Sequence, residues 1–277
     1  MRYLTDGIAF ALEEESLPPS YRPLADFALT ILVGLTGVGK TTIVELMLAG
    51  LDFTLLPTRR DITDEIIIST LQQEEGKAPY TVTDRVERFE YTARYRAKHA
   101  GGMAHALSRV GIEPNHAEST LVFDGLRGLN EVEHAANHLP KARFVVLDAP
   151  DMVRIRRLLK RADTFDSTKL QTPLSGRNLI AGLYGIPNID AVFSREQLQQ
   201  IARSARAASH SVDEVIKITA IIVEERRNYD PSAARVYLRH NLPSDRILVV
   251  DTSGQSARVV ADRVRSWLVP GADGRTG

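Results

Sequence analysis

Five short apolar or β-branched runs stand out along the chain, and each ends at a Gly, Pro or Asp signal that is typical of a strand end. Helical patterns separate the first four runs, which is typical of βαβ units. We therefore predict an α/β fold with a parallel sheet that helices cover on both faces. The predicted strands are Phe27–Val33, Phe53–Leu56, Thr120–Phe123, Arg143–Leu147 and Arg246–Val250.

The pattern changes between the fourth and fifth runs, where more than 80 residues contain no clear strand. Ser194 and Ser211 each begin a capping box, "SREQ" and "SVDE", ahead of a helical pattern. We predict a helical lid or insertion here. The predicted division is an N-terminal arm at 1–26 with a short helix ending at "LPPSYRP", a core at 27–162 and 243–268, an insertion at 163–242 and a disordered tail at 269–277.

Composition excludes several classes of function. Lys and Arg number 35, as do Asp and Glu, so no global field favours nucleic acid or an anionic membrane. Cysteine is absent, which excludes disulfides, thiolate nucleophiles and Cys-zinc sites. No apolar run approaches the ~20 residues of a membrane span, and acids interrupt the first 16 residues where a signal peptide needs an apolar core. We expect a cytoplasmic protein without a membrane partner.

A glycine-rich turn follows the first predicted strand and precedes a helical pattern. Gly34, Gly39, Lys40 and Thr41 fit the pattern G-x-x-x-x-G-K-[ST] in that context. Such a loop points successive backbone amides into one cavity, the Lys reaches the β- and γ-phosphates, and the Thr hydroxyl binds Mg²⁺. The alternative is a βα turn without a ligand. We predict that ATP is bound by Gly34, Leu35, Thr36, Gly37, Val38, Gly39, Lys40, Thr41 and Thr42.

A carboxylate for the metal is offered by "TLVFDGLRG", where Asp124 stands at the carboxyl end of an apolar strand. Open α/β sheets place ligands at this end of their strands. We predict that Thr41 and Asp124 form the magnesium site. The alternative for Asp124 is an Asp-Gly turn without a metal.

Arginines near the loop are the next feature to seek, because phosphoryl transfer depends on positioning and charge neutralisation. Arg59 and Arg60 follow the second strand, with Asp61 or Thr63 as the cap of the next helix. They would hold an anionic acceptor, or else lie in a solvated turn.

Two helical stripes supply further arginines. The first begins after Asp84 and contains Arg85, Arg88, Thr92 and Arg96, beside an apolar stripe of Val86, Phe89, Ala93 and Ala97. We predict that its arginines line the acceptor cleft, with plain solvent exposure as the alternative. The second stripe, in "APDMVRIRRLLKRADTFD", contains Arg154, Arg157 and Arg161. We predict that the last of these, Arg161, swings over the triphosphate.

The segments "GLTGVGKTT", "VFDGLRGLNEVE", "APDMVRIRRLLKR" and "RILVVDTS" together resemble the P-loop nucleoside and nucleotide kinases. The resemblance is greatest to the dephospho-CoA-kinase and adenylate-kinase-related group, and it covers most of 27–162 and 243–268. It implies a three-layer P-loop NTPase fold with five parallel strands in the order 2-3-1-4-5. It also implies an acceptor-binding segment after the second strand and a mobile lid after the fourth.

The resemblance implies roles for single residues. Asp124 and Arg127 would occupy a "DGxR" position near the metal and acceptor, and Asp251, Thr252 and Ser253 would lie near the adenine-binding turn. The chain departs from its relatives at Asp163, where they often have another lid arginine, and in having only Asp166 beyond it instead of paired acids. The implied catalytic set is Lys40, Asp124, Arg127, Arg157 and Arg161.

These observations favour an ATP- and Mg²⁺-dependent phosphotransferase with a small anionic or nucleoside-type acceptor. A P-loop ATPase or nucleotide-gated regulator without an acceptor is the alternative. A third hypothesis comes from "QLQQIARSARAASHSVDEVIKI", whose spacing is similar to a DNA-binding helix-turn-helix. Asp213 and Glu214 begin the would-be recognition helix and would repel phosphates, so we do not expect nucleic-acid binding.

Overall fold

The computed structural model describes residues 2–11, 16–49, 52–78, 80–116, 119–161 and 178–269. Side chains are described for these residues except at positions 2, 3, 48, 85 and 86. All but the first residue of the predicted tail at 269–277 lies outside the described residues, as do the lid positions Asp163 and Asp166.

The described part of the chain contains nine strands. In chain order the strands are β1 (Arg2–Thr5), β2 (Ile8–Phe10), β3 (Arg22–Pro23), β4 (Leu29–Val33), β5 (Phe53–Leu55), β6 (Val110–Ile112), β7 (Thr120–Leu126), β8 (Ala142–Asp148) and β9 (Ile247–Asp251).

The α-helices before the insertion are α1 (Lys40–Leu48), α2 (Arg59–Ile62), α3 (Ser69–Glu74), α4 (Arg85–Lys98), α5 (Met103–Ser108), α6 (Leu129–His138) and α7 (Asp151–Lys160). A π-helical segment, Thr63–Ile68, joins α2 to α3. The later helices are α8 (Leu179–Tyr184), α9 (Arg195–Ala207), α10 (Val212–Asn228), α11 (Pro231–Asn241) and α12 (Ala257–Leu268).

The five predicted strands form one parallel sheet. Its order is β5–β7–β4–β8–β9, which is the predicted order 2-3-1-4-5. The central strand β4 is buried along its whole length and pairs in parallel with both β7 and β8, with Leu29 opposite Leu121 and Ala142. The α/β fold with a kinase-type strand order is therefore confirmed.

Residues of β4 alternate between two apolar layers, as the period of a strand requires. Leu29, Ile31 and Val33 face a core shared with α5, α6 and α11, whereas Leu32 packs with α1 and α12 on the other face. Helices thus cover both faces of the sheet. The carboxyl ends of the strands stay open for the loops that follow them.

The expected short helix of the N-terminal arm does not form in residues 2–11, and positions 12–15 lie outside the described residues. Residues 2–10 form the hairpin β1–β2, which continues through β6 to β3 as a second, antiparallel sheet. The turn is Asp6-Gly7, with Gly7 at φ +70°, and Ile8 and Phe10 are buried in the main core. An Asp-Gly turn before an apolar run is a hairpin signal that the sequence contains.

The predicted helical insertion is confirmed in residues 178–241, which carry α8 to α11. Helices α8 to α10 have an apolar core of their own, which continues onto Ile155 and Leu158 of α7, whereas α11 packs against α6 in the main core. Ser194 forms the predicted capping box with Gln197. Ser211 caps α10 through the Glu214 amide, while the Glu214 carboxylate lies 3.4 Å from His210. No helix among the described residues has the length and apolarity to cross a membrane.

A column of four imidazoles crosses the ends of α4, α5 and α6. His99 stacks on His105 with ring centres 4.3 Å apart, and His134 stacks on His138 at 3.9 Å. The edge contact between His105 and His134, at 5.5 Å, joins the two pairs. Partial burial, together with the neighbouring imidazoles, lowers the pKa of His105 and of His134 from 6.5 to about 4.

These lowered pKa values predict a loss of stability in mild acid. Between about pH 6.5 and 4 the unfolded chain binds protons at His105 and His134 that the folded chain does not, so the free energy of unfolding falls as the pH falls. We expect roughly 1–2 kcal/mol for each half-buried histidine, after allowing for solvent screening. Urea unfolding at pH 7 and pH 5 measures the loss.

Two variants in which histidine is replaced by glutamine test whether the histidine column causes this loss of stability. The double variant His105→Gln/His134→Gln should lose less stability than the wild type between pH 7 and pH 5. His240→Gln, at an exposed histidine of α11, should lose as much as the wild type. Equal losses in all three proteins would show that the column does not titrate in this range.

Candidate active site

The loop between β4 and α1 is curled, as its glycines predict. Gly37 and Gly39 have φ values of +86° and +100°, in the left-handed region that favours glycine. A Cβ on Gly34 would lie 2.6 Å from the carbonyl oxygen of Leu147, so the loop packs closely against β8. The curl therefore depends on glycine at all three positions.

Backbone amides of this loop remain available to a ligand. Among the described residues, the amides of Gly37, Gly39, Lys40 and Thr41 donate to no acceptor. The first amides of any helix lack partners within the helix, and they carry the positive end of its dipole. Leu35 and Val38 are buried and fix the loop from below, whereas Thr41 and Thr42 are exposed.

Lys40 lies inside the curl. Its Nζ donates to the carbonyl oxygens of Gly34, at 2.8 Å, and Leu35, at 3.2 Å, and it lies 3.9 Å from Oδ1 of Asp124. Burial lowers the pKa of Lys40, and the charge of Asp124 opposes that shift. The amine is thus held by weak backbone acceptors at the base of an anion-binding loop.

Asp124 reaches the loop through an irregularity in β7. Leu32 pairs with Asp124 but Val33 pairs with Leu126, so Gly125 is an extra residue, as in a β-bulge. Oδ1 of Asp124 is buried and accepts no hydrogen bond from the described residues. This orphaned oxygen and the exposed Thr41 hydroxyl fit a hard cation such as Mg²⁺.

Sequence reasoning missed Glu225, which lies in the last turn of α10. Its side chain is fully buried and accepts from the Thr36 amide, at 3.1 Å, and the Thr36 hydroxyl, at 2.5 Å. Arg127 contacts its Oε1 at 2.8 Å, and Arg154 contacts its Oε2. The sequence indicates only that Glu225 closes a helix, because its partner Thr36 is 189 residues away.

Arg154 is buried beneath the loop. Only 1% of its surface is exposed. Its Nε donates to the Thr36 carbonyl at 2.7 Å, and it also binds Asp151, at 2.6 Å, and Glu225. Asp151 in turn accepts from Arg226 of α10 at 2.9 Å. Arg154 therefore links the loop, the start of α7 and the insertion.

Arg157 lies on the opposite side of the loop. Its NH1 donates to the Val38 carbonyl and the Thr252 hydroxyl, both at 2.9 Å, and its NH2 donates to the Thr252 carbonyl. Burial lowers the pKa of Arg157, and Asp251 opposes that shift. These contacts hold the outer wall of the loop.

A cavity of about 330 Å³ opens beside that wall. The exposed Arg161 lines it together with Arg157 and Lys160. Its other walls are Gly37, Val38, Gly39, Thr42, Ile43, Leu158, Lys160, Thr252, Gln255, Ala257 and Val260.

Arg59 is not placed as a free anion clamp. Its guanidinium makes a bidentate pair with the fully buried Glu131, at 2.7 and 2.9 Å, and donates to Gly125 and Tyr229. Burial disfavours the charged form of Arg59, but the interactions with Glu131 and Tyr229 outweigh this effect. The pKa of Arg59 is therefore raised. The helix cap is Thr58, in a capping box with Asp61, instead of the predicted Asp61 or Thr63.

The remaining predicted acceptor arginines also have protein partners. Arg60 lies 3.7 Å from Asp64, Arg88 lies 3.2 Å from Asp64, and Arg96 donates to Asn228 at 2.8 Å. The side chain of Arg85 lies outside the described residues. Arg59, Arg96 and Arg127 all approach the ring of Tyr229, at 5.2–5.7 Å from its centre.

The predicted apolar stripe of α4 is wrong. Ala93 and Ala97 are exposed, and Tyr91 and Tyr95 are the residues buried against the core. Two large aromatic side chains bury far more surface than two alanines, so they set the rotation of the helix. Arg88, Thr92 and Arg96 consequently flank the packed face and are half-buried.

A larger cavity, of about 740 Å³, lies between α7 and the insertion. Asp151 and Tyr229 contribute to its wall, so it adjoins the group of residues around Glu225. Its complete lining is Asp151, Asn188, Ala191, Val192, Val223, Arg226, Arg227, Tyr229 and Asp230.

Comparison with known proteins adds distant likenesses only. No family model matches the chain, and no curated protein matches it. Among solved structures, a sugar kinase from Janibacter sp. HTCC2649 is 18% identical, covering 91% of this chain and 99% of its own, with a TM-score of 0.36. Shikimate kinase from Acinetobacter baumannii is 13% identical, covering 90% and 97%, with a TM-score of 0.36.

A third similar structure is TT1252 from Thermus thermophilus, at 15% identity, with coverage of 91% and 99% and a TM-score of 0.39. Likeness at this level leaves substrates undecided. The strand order and the loop between β4 and α1 are therefore what assign the core to the P-loop type of α/β fold.

Proposed function

We propose that the protein is an ATP- and Mg²⁺-dependent phosphotransferase of nucleoside- or nucleotide-kinase type. The observation that carries the proposal is the curled loop, in which four amides lack acceptors among the described residues and the partly buried Lys40 bonds to the carbonyl of Gly34. Such a cradle matches a chain of phosphates in both charge and shape, because each amide donates to one oxygen and the lysine neutralises the charge.

Thr41 and Asp124 would hold the magnesium ion. No group of three or more His, Asp or Glu suited to a metal occurs among the described residues, so phosphate oxygens would complete the coordination. The ion would supply charge neutralisation on the β- and γ-phosphates. Lys40 would move its hydrogen bonds from the Gly34 and Leu35 carbonyls to phosphate oxygens, which are stronger acceptors.

The nucleoside end of ATP would occupy the 330 Å³ cavity. Gly37, Val38 and Gly39 line this cavity, so it adjoins the loop that would bind the phosphates. One ATP molecule would therefore extend from the loop into the cavity. Ile43, Leu158 and Val260 offer apolar contact, and Arg161 offers a cation at the rim. A volume of about 300 Å³ is at the small end of ligand pockets, as suits one base and its ribose.

The acceptor would occupy the 740 Å³ cavity on the opposite side of the loop. It adjoins Asp151, which binds Arg154 directly beneath Thr36. Arg226, paired with Asp151, and Arg227, paired with Glu224, line this cavity, and an anionic acceptor group would bind them by exchange with these carboxylates. Arg59, Arg88 and Arg96 act in this proposal through the wall they build around Tyr229 and α4, since protein acceptors already engage them.

The proposal predicts ADP release that depends on an acceptor. Purified protein with MgATP is screened against nucleosides, nucleotides, sugars and hydroxy acids, with a coupled assay for ADP. We expect at least one class to raise ADP release about tenfold or more above the rate without acceptor, because a closed site excludes water. Steady hydrolysis that no acceptor changes would contradict the proposal and favour an ATPase or a regulator.

A further inference from the structure

Glu225 brings a carboxylate to the phosphate-binding loop from a distant helix. Four donors converge on it, namely the Thr36 amide, the Thr36 hydroxyl, Arg127 and Arg154. The carboxylate is fully buried, so water does not compete for these donors. A side chain of the insertion therefore occupies an anion-binding subsite that consists of Thr36, Arg127 and Arg154.

The donors of this subsite are those that proteins use for phosphoryl oxygens. A loop amide, a hydroxyl and two guanidinium groups form charge-assisted hydrogen bonds to phosphate as readily as to carboxylate. Thr36 is also a member of the loop itself, directly before Gly37 and in the same turn of chain as Lys40. The subsite is thus continuous with the amide cradle.

Each carboxylate around the loop already has a cationic partner while Glu225 is in place. Lys40, Arg127, Arg154 and Arg226 face Asp124, Asp151 and Glu225. A triphosphate brings several further negative charges, and a buried carboxylate close to them is repelled strongly in a site without water. Binding is therefore easier if one carboxylate leaves as the phosphates arrive.

Glu225 is the carboxylate that is able to leave. Asp151 lies at the first position of α7 and Asp124 lies within the sheet, whereas Glu225 lies in the last turn of α10 within the insertion. The same turn carries Arg226 and Arg227, which line the 740 Å³ cavity. Movement of this turn would change the loop and the cavity together.

We propose that Thr36, Arg127 and Arg154 form a phosphoryl subsite that Glu225 occupies in the absence of nucleotide. A phosphoryl group of the substrate displaces the carboxylate and takes over its donors. The departing turn of α10 then reshapes the cavity in which the acceptor binds. This inference rests on the proposed function. It adds that Glu225, a side chain of the protein itself, competes with the phosphoryl group for the same donors.

The alternative is that Glu225 stays in place and positions Arg127 and Arg154. The two possibilities predict opposite results for Glu225→Gln, which keeps the size of the side chain and removes its charge. A displaceable competitor weakens binding, so its neutralisation tightens binding. A permanent positioning residue supports binding, so its neutralisation weakens it.

The test is a titration of wild type and Glu225→Gln with MgATP and, separately, with inorganic tripolyphosphate. We expect Glu225→Gln to bind both about tenfold more tightly or better, because the gain arises at the phosphates and does not need the base. Glu214→Gln, the same change in the first turn of α10, should bind as the wild type does. Far-UV circular dichroism verifies that each variant is folded.

A second variant keeps the test decisive if Glu225→Gln does not fold. Glu225→Asp keeps the negative charge on a side chain that is shorter by one methylene, so the carboxylate lies farther from its donors. This variant should also bind MgATP and tripolyphosphate more tightly. Affinity equal to or weaker than that of the wild type in the folded variants would overturn the inference while leaving ATP binding intact. If neither wild type nor variants bind either ligand, the proposed function is overturned as well.

Discussion

Replacing Arg154 by Met is expected to lower the free energy of unfolding by about 3–5 kcal/mol, the usual cost of removing one partner of a buried ion pair. Arg154 is 1% exposed, and its three nitrogens bind Thr36, Asp151 and Glu225. Met fills much of the same volume but donates no hydrogen bond. Glu225 would then keep a buried charge with one cation, Arg127, in place of two.

Urea unfolding at neutral pH measures this cost. Arg156→Met is the matched control, because Arg156 lies on the same helix with its side chain exposed, and such a change usually stays within about 0.5 kcal/mol. Adding Glu225→Gln to Arg154→Met should recover part of the loss, since the two residues interact directly. A loss below about 1 kcal/mol in Arg154→Met would show that this ion-pair group does not stabilise the fold.

Local patterns in the sequence predicted the sheet and the loop. The parallel sheet follows from alternating strand and helix signals, and the loop follows from Gly34, Gly39, Lys40 and Thr41, which are close in sequence. The order of the strands was implied by the resemblance to the P-loop kinases. Signals of this kind lie within a few residues of the feature that they predict. They need no knowledge of what packs against them.

The ion-pair partners could not be predicted in the same way. Glu131 pairs with Arg59 across 72 residues, and Glu225 pairs with Thr36 across 189 residues. No pattern in the sequence near Arg59 indicates that a carboxylate will accept hydrogen bonds from its guanidinium. The predicted role of Arg59 in holding an acceptor required a guanidinium without a protein partner. The tertiary fold supplies such a partner, Glu131.

At two other places the sequence contains a signal for the observed structure, but another pattern led to a different prediction. The hairpin at Asp6-Gly7 carries a turn dipeptide, but the breaker "LPPSYRP" suggested a short helix that ends there. On α4 the small residues Ala93 and Ala97 suggested the packed face, although Tyr91 and Tyr95 bury more area. In both places burial of the larger side chains decided the structure.

Lys40→Ala is expected to weaken MgATP binding by about 2–5 kcal/mol, which is at least about 30-fold in Kd. Lys40 is the one lysine of the loop, and its Nζ lies among amides that donate to no described acceptor. Its hydrogen bonds in this structure go to the carbonyls of Gly34 and Leu35, which belong to the loop and to no helix or strand. Its removal should therefore affect the ligand far more than the fold.

The control is Lys98→Ala, which removes the same charge at an exposed residue of α4 paired with Glu74. Its affinity for MgATP should stay within about twofold of the wild type, because surface ion pairs contribute little. Equal melting temperatures in the two variants would show that a difference in affinity arises at the site.

An equilibrium titration of MgATP into wild type, Lys40→Ala and Lys98→Ala is thus the most direct test of the amide cradle. The cradle predicts saturable binding to the wild type and to Lys98→Ala, and a loss of at least about 30-fold in Lys40→Ala. Binding of undiminished strength to folded Lys40→Ala would place the nucleotide elsewhere and contradict the account.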